Sequence, residues 1–265
     1  MVGSFTLLKK KALVGDAIAH AVLPGVCLSF LMTGTKDPIY LVIGAFATGG
    51  LSLLLINGIS HHSKLKEDTA IALVLSVTFG IGILLLTTIQ HSGNAALVGL
   101  SNFLFGKAAS LVSHDLKVLS VLSLVLIVAV LLFFKEFTLV AFDRAFAQAI
   151  GLPVRRLELL LTSLTVLAIV VGIRAVGILL MSAMLITPAA AARFWVHHLP
   201  SMVLLAAVLG MFAGITGAFI SYLAPALPTG PWIVLTISAI AYVSFLFAPC
   251  KGLWGRTLRK QRWKV

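Results

Sequence analysis

Gly15–Asp16–Ala17–Ile18–Ala19–His20–Ala21–Val22–Leu23–Pro24–Gly25 is the stretch that decides how the chain is read. It opens an apolar run reaching about Met32, close to the ~20 residues a helix needs to cross a bilayer. A carboxylate and an imidazole sit four residues apart inside it, a spacing that stacks both on one helix face. An ionisable group at membrane depth costs roughly 2.5–3.5 kcal/mol on insertion scales, so it marks a functional site by default. Pro24 removes a backbone donor and Gly25 relaxes the chain, and a kinked or broken helix is expected there. Broken helices that line a cavity are one way transporters present polar backbone to a substrate. The stretch therefore reads as a divalent-metal site in a transport pathway, with Asp16 and His20 as ligands and Pro24–Gly25 as the pathway break.

A plainer reading stands beside it. Asp16 follows Lys11 by five residues, roughly 8 Å of helix, and could lie near the headgroups paired with a lysine while His20 bonds a core neighbour. The adjoining break and the scarcity of other acidic residues inside the apolar runs favour ligands. Carboxylate oxygen and imidazole nitrogen suit Mn²⁺, Fe²⁺ or Zn²⁺ alike and suit bulky organic substrates poorly. Two ligands make a weak site, and two such subunits around an axis would make it four.

Outward from this stretch, composition sets the class. Of 265 residues, 60% are hydrophobic and 11% charged, and the mean hydropathy is +1.12. Soluble domains are about half apolar and about a quarter charged, so this is an integral membrane protein. Its apolar segments have helical length and lack the period-2 alternation of an outer-membrane barrel. The expected fold is all-α, a polytopic transmembrane bundle forming one permease domain over residues 1–265. A net charge of +12 would also suit nucleic acid, but the basic residues fall in the gaps between apolar runs. That placement expresses membrane topology, and no nucleic-acid partner is expected.

Lys9, Lys10 and Lys11 put the start of the first span, about Ala12 to Thr33, on the cytoplasmic side. Ile39 to about Ile59 returns, and Ala70 to about Ile89 goes out again after Glu67 and Asp68, acidic residues suited to a first helical turn. Residues 95–112, interrupted by Gly99, Ser101, Asn102, Gly106 and Lys107, are ambiguous. Were they to cross, the tail bearing Lys251, Arg256, Arg259, Lys260, Arg262 and Lys264 would lie outside. Treating them as re-entrant or interfacial leaves only Lys36 and Arg174 in outside loops, with Lys107 and Lys117 in the doubtful region. That choice predicts about eight spans, a cytoplasmic connection over about 135–157 and a basic cytoplasmic tail over 249–265. Within the connection, Asp143 to Pro153 reads as a short helix ended by Gly151 and Pro153.

Other polar residues have weaker functional readings. Cys27 lies seven residues after His20, a phase that the expected break would spoil. His61–His62 and His197–His198 are adjacent pairs, which point apart on a helix and are usually just solvated. Ser101 would need a histidine base to act as an intramembrane protease nucleophile, and His20 is better explained by Asp16. No Walker-type Gly-Lys-Ser/Thr loop is present, so the chain is not itself an ATPase of that kind. An ion-coupled secondary carrier is the alternative class, and it would call for more intramembrane charge than one aspartate supplies.

Gly15 to Gly25, Lys66–Glu67–Asp68–Thr69–Ala70–Ile71, Ile150–Gly151–Leu152–Pro153, Val176–Gly177–Ile178–Leu179–Leu180 and Thr187–Pro188–Ala189–Ala190 resemble, in order, the membrane permeases of bacterial ABC importers for manganese, zinc or iron. The resemblance implies a multi-pass subunit of the bacterial cytoplasmic membrane whose divalent metal is cargo, with no permanently bound cofactor. It implies three partners: cytoplasmic ATPase subunits, an extracytoplasmic metal-binding protein, and a second permease, copy or relative. It carries the metal ligands to Asp16 and His20, and makes the segment with Asp143, Gly151 and Pro153 the coupling helix that docks on the ATPase. It also implies an earlier span before Gly3.

Overall fold

The structure, a computed structural model, describes residues 1–9, 12–35, 37–91, 106, 113–223, 228–249 and 252. The described residues form helices and no strand. The first four helices are α1 (Val2–Leu8), α2 (Ala12–Thr33), α3 (Pro38–His62) and α4 (Glu67–His91). After them come α5 (Ser113–Leu132), α6 (Phe134–Phe142), α7 (Arg144–Ala149) and α8 (Val154–Val176). The last three are α9 (Ile178–Trp195), α10 (Leu199–Leu223) and α11 (Thr229–Phe247). Seven, namely α2, α3, α4, α5, α8, α10 and α11, are long and apolar enough to cross a membrane, and α9 contributes a shorter apolar helix.

The ends of these helices follow local chemistry. The Asp37 carboxylate accepts the Ile39 amide at 3.2 Å, and Pro38 supplies a fixed φ at the first turn of α3. Glu67 and Asp68 occupy the first turn of α4, where they complement its exposed amides. Asp143 caps α7 by accepting the Phe146 amide at 2.9 Å. The chain leaves α7 through Gly151, whose φ of +83° is one that L side chains rarely adopt. Gly177, at φ +94°, ends α8 and begins α9.

The α8–α9 hairpin is the spine. The second half of α8, including Val166, Ile169 and Ile173, and the first half of α9, including Ile178 and Leu185, join α2, α3 and α4 in one apolar core. The opposite halves, with Leu157, Leu161 and Ala192, join α1, α5, α6, α7 and α10 in a second core. Phe5 of α1 anchors that core, its ring edge-on to Phe134 at 5.7 Å and to Phe137 at 5.9 Å. Helices α8 and α9 thus contribute to both cores.

Ion pairs mark the two ends of the bundle. Lys9 meets Glu158 at one end, and Arg174 meets Asp115 at 3.0 Å at the other. Helix α4 runs parallel to α2, with His20 against Phe79 and Cys27 against Gly82, so His91 lies at the Arg174 end. Both flanks of residues 92–112 are therefore at one end of the bundle. Gly106 approaches the α8–α9 turn, where a Cβ would stand 2.5 Å from the Ala175 carbonyl oxygen. The rest of that stretch, and with it the expectation of a re-entrant or interfacial segment, lies outside the described residues. So do Lys10, Lys11, Lys36, Ser101, Cys250 and almost all of the basic tail.

Candidate functional site

Helix α2 holds Asp16 and His20 one turn apart, with Asp16 Oδ1 3.6 Å from His20 Nε2. From the helical rise, His20 sits about 4 Å and Asp16 about 10 Å from the middle of α2, towards the Lys9 end. The His20 side chain is 14% exposed and that of Asp16 37%. The imidazole packs edge-on against the Phe79 ring of α4, centroids 4.8 Å apart. His20 Nδ1 is buried and has no hydrogen-bond partner among the described residues. The ring is thus held by aromatic packing, with one nitrogen turned to a carboxylate and the other uncommitted. On the neighbouring side Gly15 gives α9 close access, since a Cβ there would lie 2.9 Å from Leu185 Cδ2.

A cation bonded to both atoms at about 2.1 Å would see them at about 118°, given their 3.6 Å separation. That angle suits a transition-metal ion. The described residues contain no group of three or more His, Cys, Asp or Glu side chains able to hold a metal. One chain therefore brings two ligand side chains together, and the half-open Asp16 leaves a face on which further ligands could complete the shell.

Of the kinked or broken helix expected at Pro24–Gly25, the broken form does not occur: α2 is one helix from Ala12 to Thr33 with Pro24 inside it. Pro24 still lacks an amide hydrogen, so the carbonyl of His20, four residues earlier, is without the donor a regular helix would supply. Gly25 has a different task. A Cβ there would strike the Gly44 carbonyl oxygen and the Thr48 hydroxyl of α3, and one on Gly44 would strike Ser29 Oγ. Gly25 and Ser29 of α2 face Gly44 and Thr48 of α3 in a small-residue crossing of the kind that lets membrane helices touch backbone to backbone. The close α2–α3 approach begins at the residue after the proline.

With α2 continuous, Cys27 keeps its phase but not a place beside the pair. It is buried, its thiol directed at the Gly82 carbonyl oxygen at 3.9 Å, about 10 Å along the axis from His20. His61 and His62 are exposed with ring centroids 5.2 Å apart, and His62 Nδ1 lies 3.0 Å from the Gly58 carbonyl. His197 and His198 are exposed beyond α9. Asp143, Gly151 and Pro153 all lie on or beside α7, more than 120 residues after the pair in the sequence, and α8 packs against both α7 and α2.

Sequence reasoning missed three features. Phe79 is one aromatic in an apolar run, with no signal that it faces His20. The Gly44–Thr48 spacing is visible, but not that Gly25–Ser29 lies opposite. Asp115 and Arg174 pair across two helices that nothing local connects.

The family described as the ABC 3 transport family matches residues 1–248. The chain is 46% identical over 262 residues to the manganese transport system membrane protein MntC of Bacillus subtilis (strain 168), covering 99% of this chain and 60% of that protein. It is 41% identical over 262 residues to the zinc transport system membrane protein TroC of Treponema pallidum (strain Nichols), covering 99% of this chain and 88% of that protein. Among solved structures, PsaBC from Streptococcus pneumoniae in complex with Fab superposes with a TM-score of 0.84 at 36% identity, covering 94% of this chain and 86% of that one. On that match, which takes in α1 to α11, the chain belongs to the ABC 3 transport family.

Proposed function

We propose that this chain is the membrane permease subunit of an ATP-driven importer that moves a divalent transition-metal ion across the bacterial cytoplasmic membrane by alternating access. The cargo is Mn²⁺, or Zn²⁺ or Fe²⁺, bound in transit by Asp16 and His20. The observation that carries this reading is the 3.6 Å Asp16–His20 pair inside a span. A bound cation offsets the cost of placing an acid and an imidazole inside a span. Relatives named for manganese and zinc transport support the cargo class. The shared ion chemistry of one carboxylate and one imidazole does not choose among the three metals.

Residues 1–265 act as one permease domain with a cytoplasmic connection over about 135–157 and a cytoplasmic basic tail over 249–265. Its partners are cytoplasmic ATPase subunits docking at α7, an extracytoplasmic metal-binding protein, and a second permease. Two permease chains would place two carboxylates and two imidazoles about one axis, which answers the two-ligand shortfall of a single chain. Closure of the ATPases on ATP would rock the two bundles and turn the bound ion inward.

The test is metal uptake by the assembled transporter in vesicles, with Mn²⁺, Zn²⁺ and Fe²⁺ in parallel. Asp16→Ala and His20→Ala should each abolish ATP-dependent uptake while the complex still assembles and hydrolyses ATP. Normal uptake in both variants would sink the metal assignment, and uptake without ATP would favour an ion-coupled carrier instead.

A further inference from the structure

Glu158, in the second turn of α8, directs its two carboxylate oxygens at different elements. Oε1 accepts from Lys9 Nζ at 3.5 Å, and Oε2 lies 3.2 Å from Arg144 Nη2. Lys9 ends α1 and stands just before α2. Arg144 is the first residue of α7. One carboxylate thus joins the α1–α2 junction, a spanning helix and the short helix of the cytoplasmic connection.

The burial of the three groups is graded: the Lys9 side chain is 16% exposed, Glu158 30% and Arg144 62%. Helix α7 itself is lightly held, with Ala147 as its buried residue. Arg144–Glu158 is therefore a polar tie between α7 and a helix that crosses the membrane. Lys9 precedes Asp16 by seven residues in the sequence. Exposed ion pairs contribute only about 0–1 kcal/mol to stability, so the Arg144 limb adds little to the fold as such. Contiguous hydrogen-bond and ion-pair networks of this kind can carry coupling between distant sites.

We propose that Glu158 is a positioning residue that transmits displacement of α7 to the root of α2, and through it to Asp16 and His20. This rests on reading α7 as the element the ATPase moves. Carried on α8, the carboxylate would draw Lys9 along when Arg144 is pushed, so that α2 tilts with the stroke rather than lagging behind it.

The test uses the assembled transporter in vesicles, reading metal moved per ATP hydrolysed. Glu158→Gln keeps the shape and removes the charge. We expect metal per ATP to fall roughly fivefold or more, with hydrolysis persisting and equilibrium Mn²⁺ binding retained. A merely structural pair would change yield or melting temperature and leave that ratio alone, so a wild-type ratio in Glu158→Gln overturns the proposal. Lys9→Gln removes the Lys9 limb while leaving the Arg144–Glu158 contact in place, and supplies the same reading should Glu158→Gln fail to assemble. In the double variant the losses should not add, because both act through one contact; additive losses overturn the relay. If the wild-type complex hydrolyses ATP without moving metal, the transporter reading fails, whatever Glu158 does.

Discussion

Gly25 and Gly50 both lie inside spanning helices, and alanine should have opposite effects at the two. A Cβ on Gly50 meets nothing within 4 Å. On Gly25 it would run into Gly44 and Thr48 and stand 2.7 Å from the Gly44 carbonyl carbon. Carbon atoms settle at about 3.5–4.0 Å, so α2 and α3 would have to part by about 1 Å. Thr48 cannot swing aside freely, because its hydroxyl bonds the Gly44 carbonyl at 3.1 Å. Helix propensity favours alanine by about 1 kcal/mol at either site. Forced separation costs about 1–3 kcal/mol, at Gly25 alone. Gly50→Ala should therefore be neutral or stabilising, and Gly25→Ala should fall below it by about 1–3 kcal/mol. For a chain of this length that is roughly 2–6 °C in melting temperature. Thermal unfolding of the detergent-purified protein, followed by loss of the monodisperse peak, measures the difference. Should Gly25→Ala melt at or above Gly50→Ala, the α2–α3 crossing is not packed as described.

Further expectations concern the two ends of the bundle. Asp115→Asn removes a carboxylate that lies 3.0 Å from Arg174, whose side chain is 10% exposed, and should destabilise the protein by about 1–3 kcal/mol, read by the same thermal assay; an unchanged melting temperature would refute it. Asp143→Ala strips the cap from α7 and should cost about 1 kcal/mol locally, seen as faster hydrogen exchange at Phe146 and its neighbours with the spanning helices unaffected. Gly151 holds a φ of +83° with open space around it, so a bulky residue there pays backbone strain of about 1–2 kcal/mol and projects towards whatever docks on α7. Gly151→Leu should uncouple hydrolysis from metal uptake, and intact coupling would argue against α7 as the docking helix.

Much of this architecture follows from the order of residues alone, because its causes are short-ranged. The first span was readable as Ala12 to Thr33, since hydropathy and helical length need no partner to be recognised. The Asp37 and Asp143 caps, the acidic first turn at Glu67–Asp68 and the stop at Gly151–Pro153 are decided within four residues of chain. So is the stacking of Asp16 and His20, which one helical turn guarantees. What the tertiary structure decided is everything that depends on which faces meet. A Pro–Gly pair in isolation predicts a kinked or broken helix, yet α2 continues as one helix through it, with Gly25 packed on Gly44. Phe79 behind His20, Asp115 against Arg174, and Glu158 between Lys9 and Arg144 join residues that no local spacing relates. Periodicity tells which side of a helix seeks company; only the folded bundle determines what is found there.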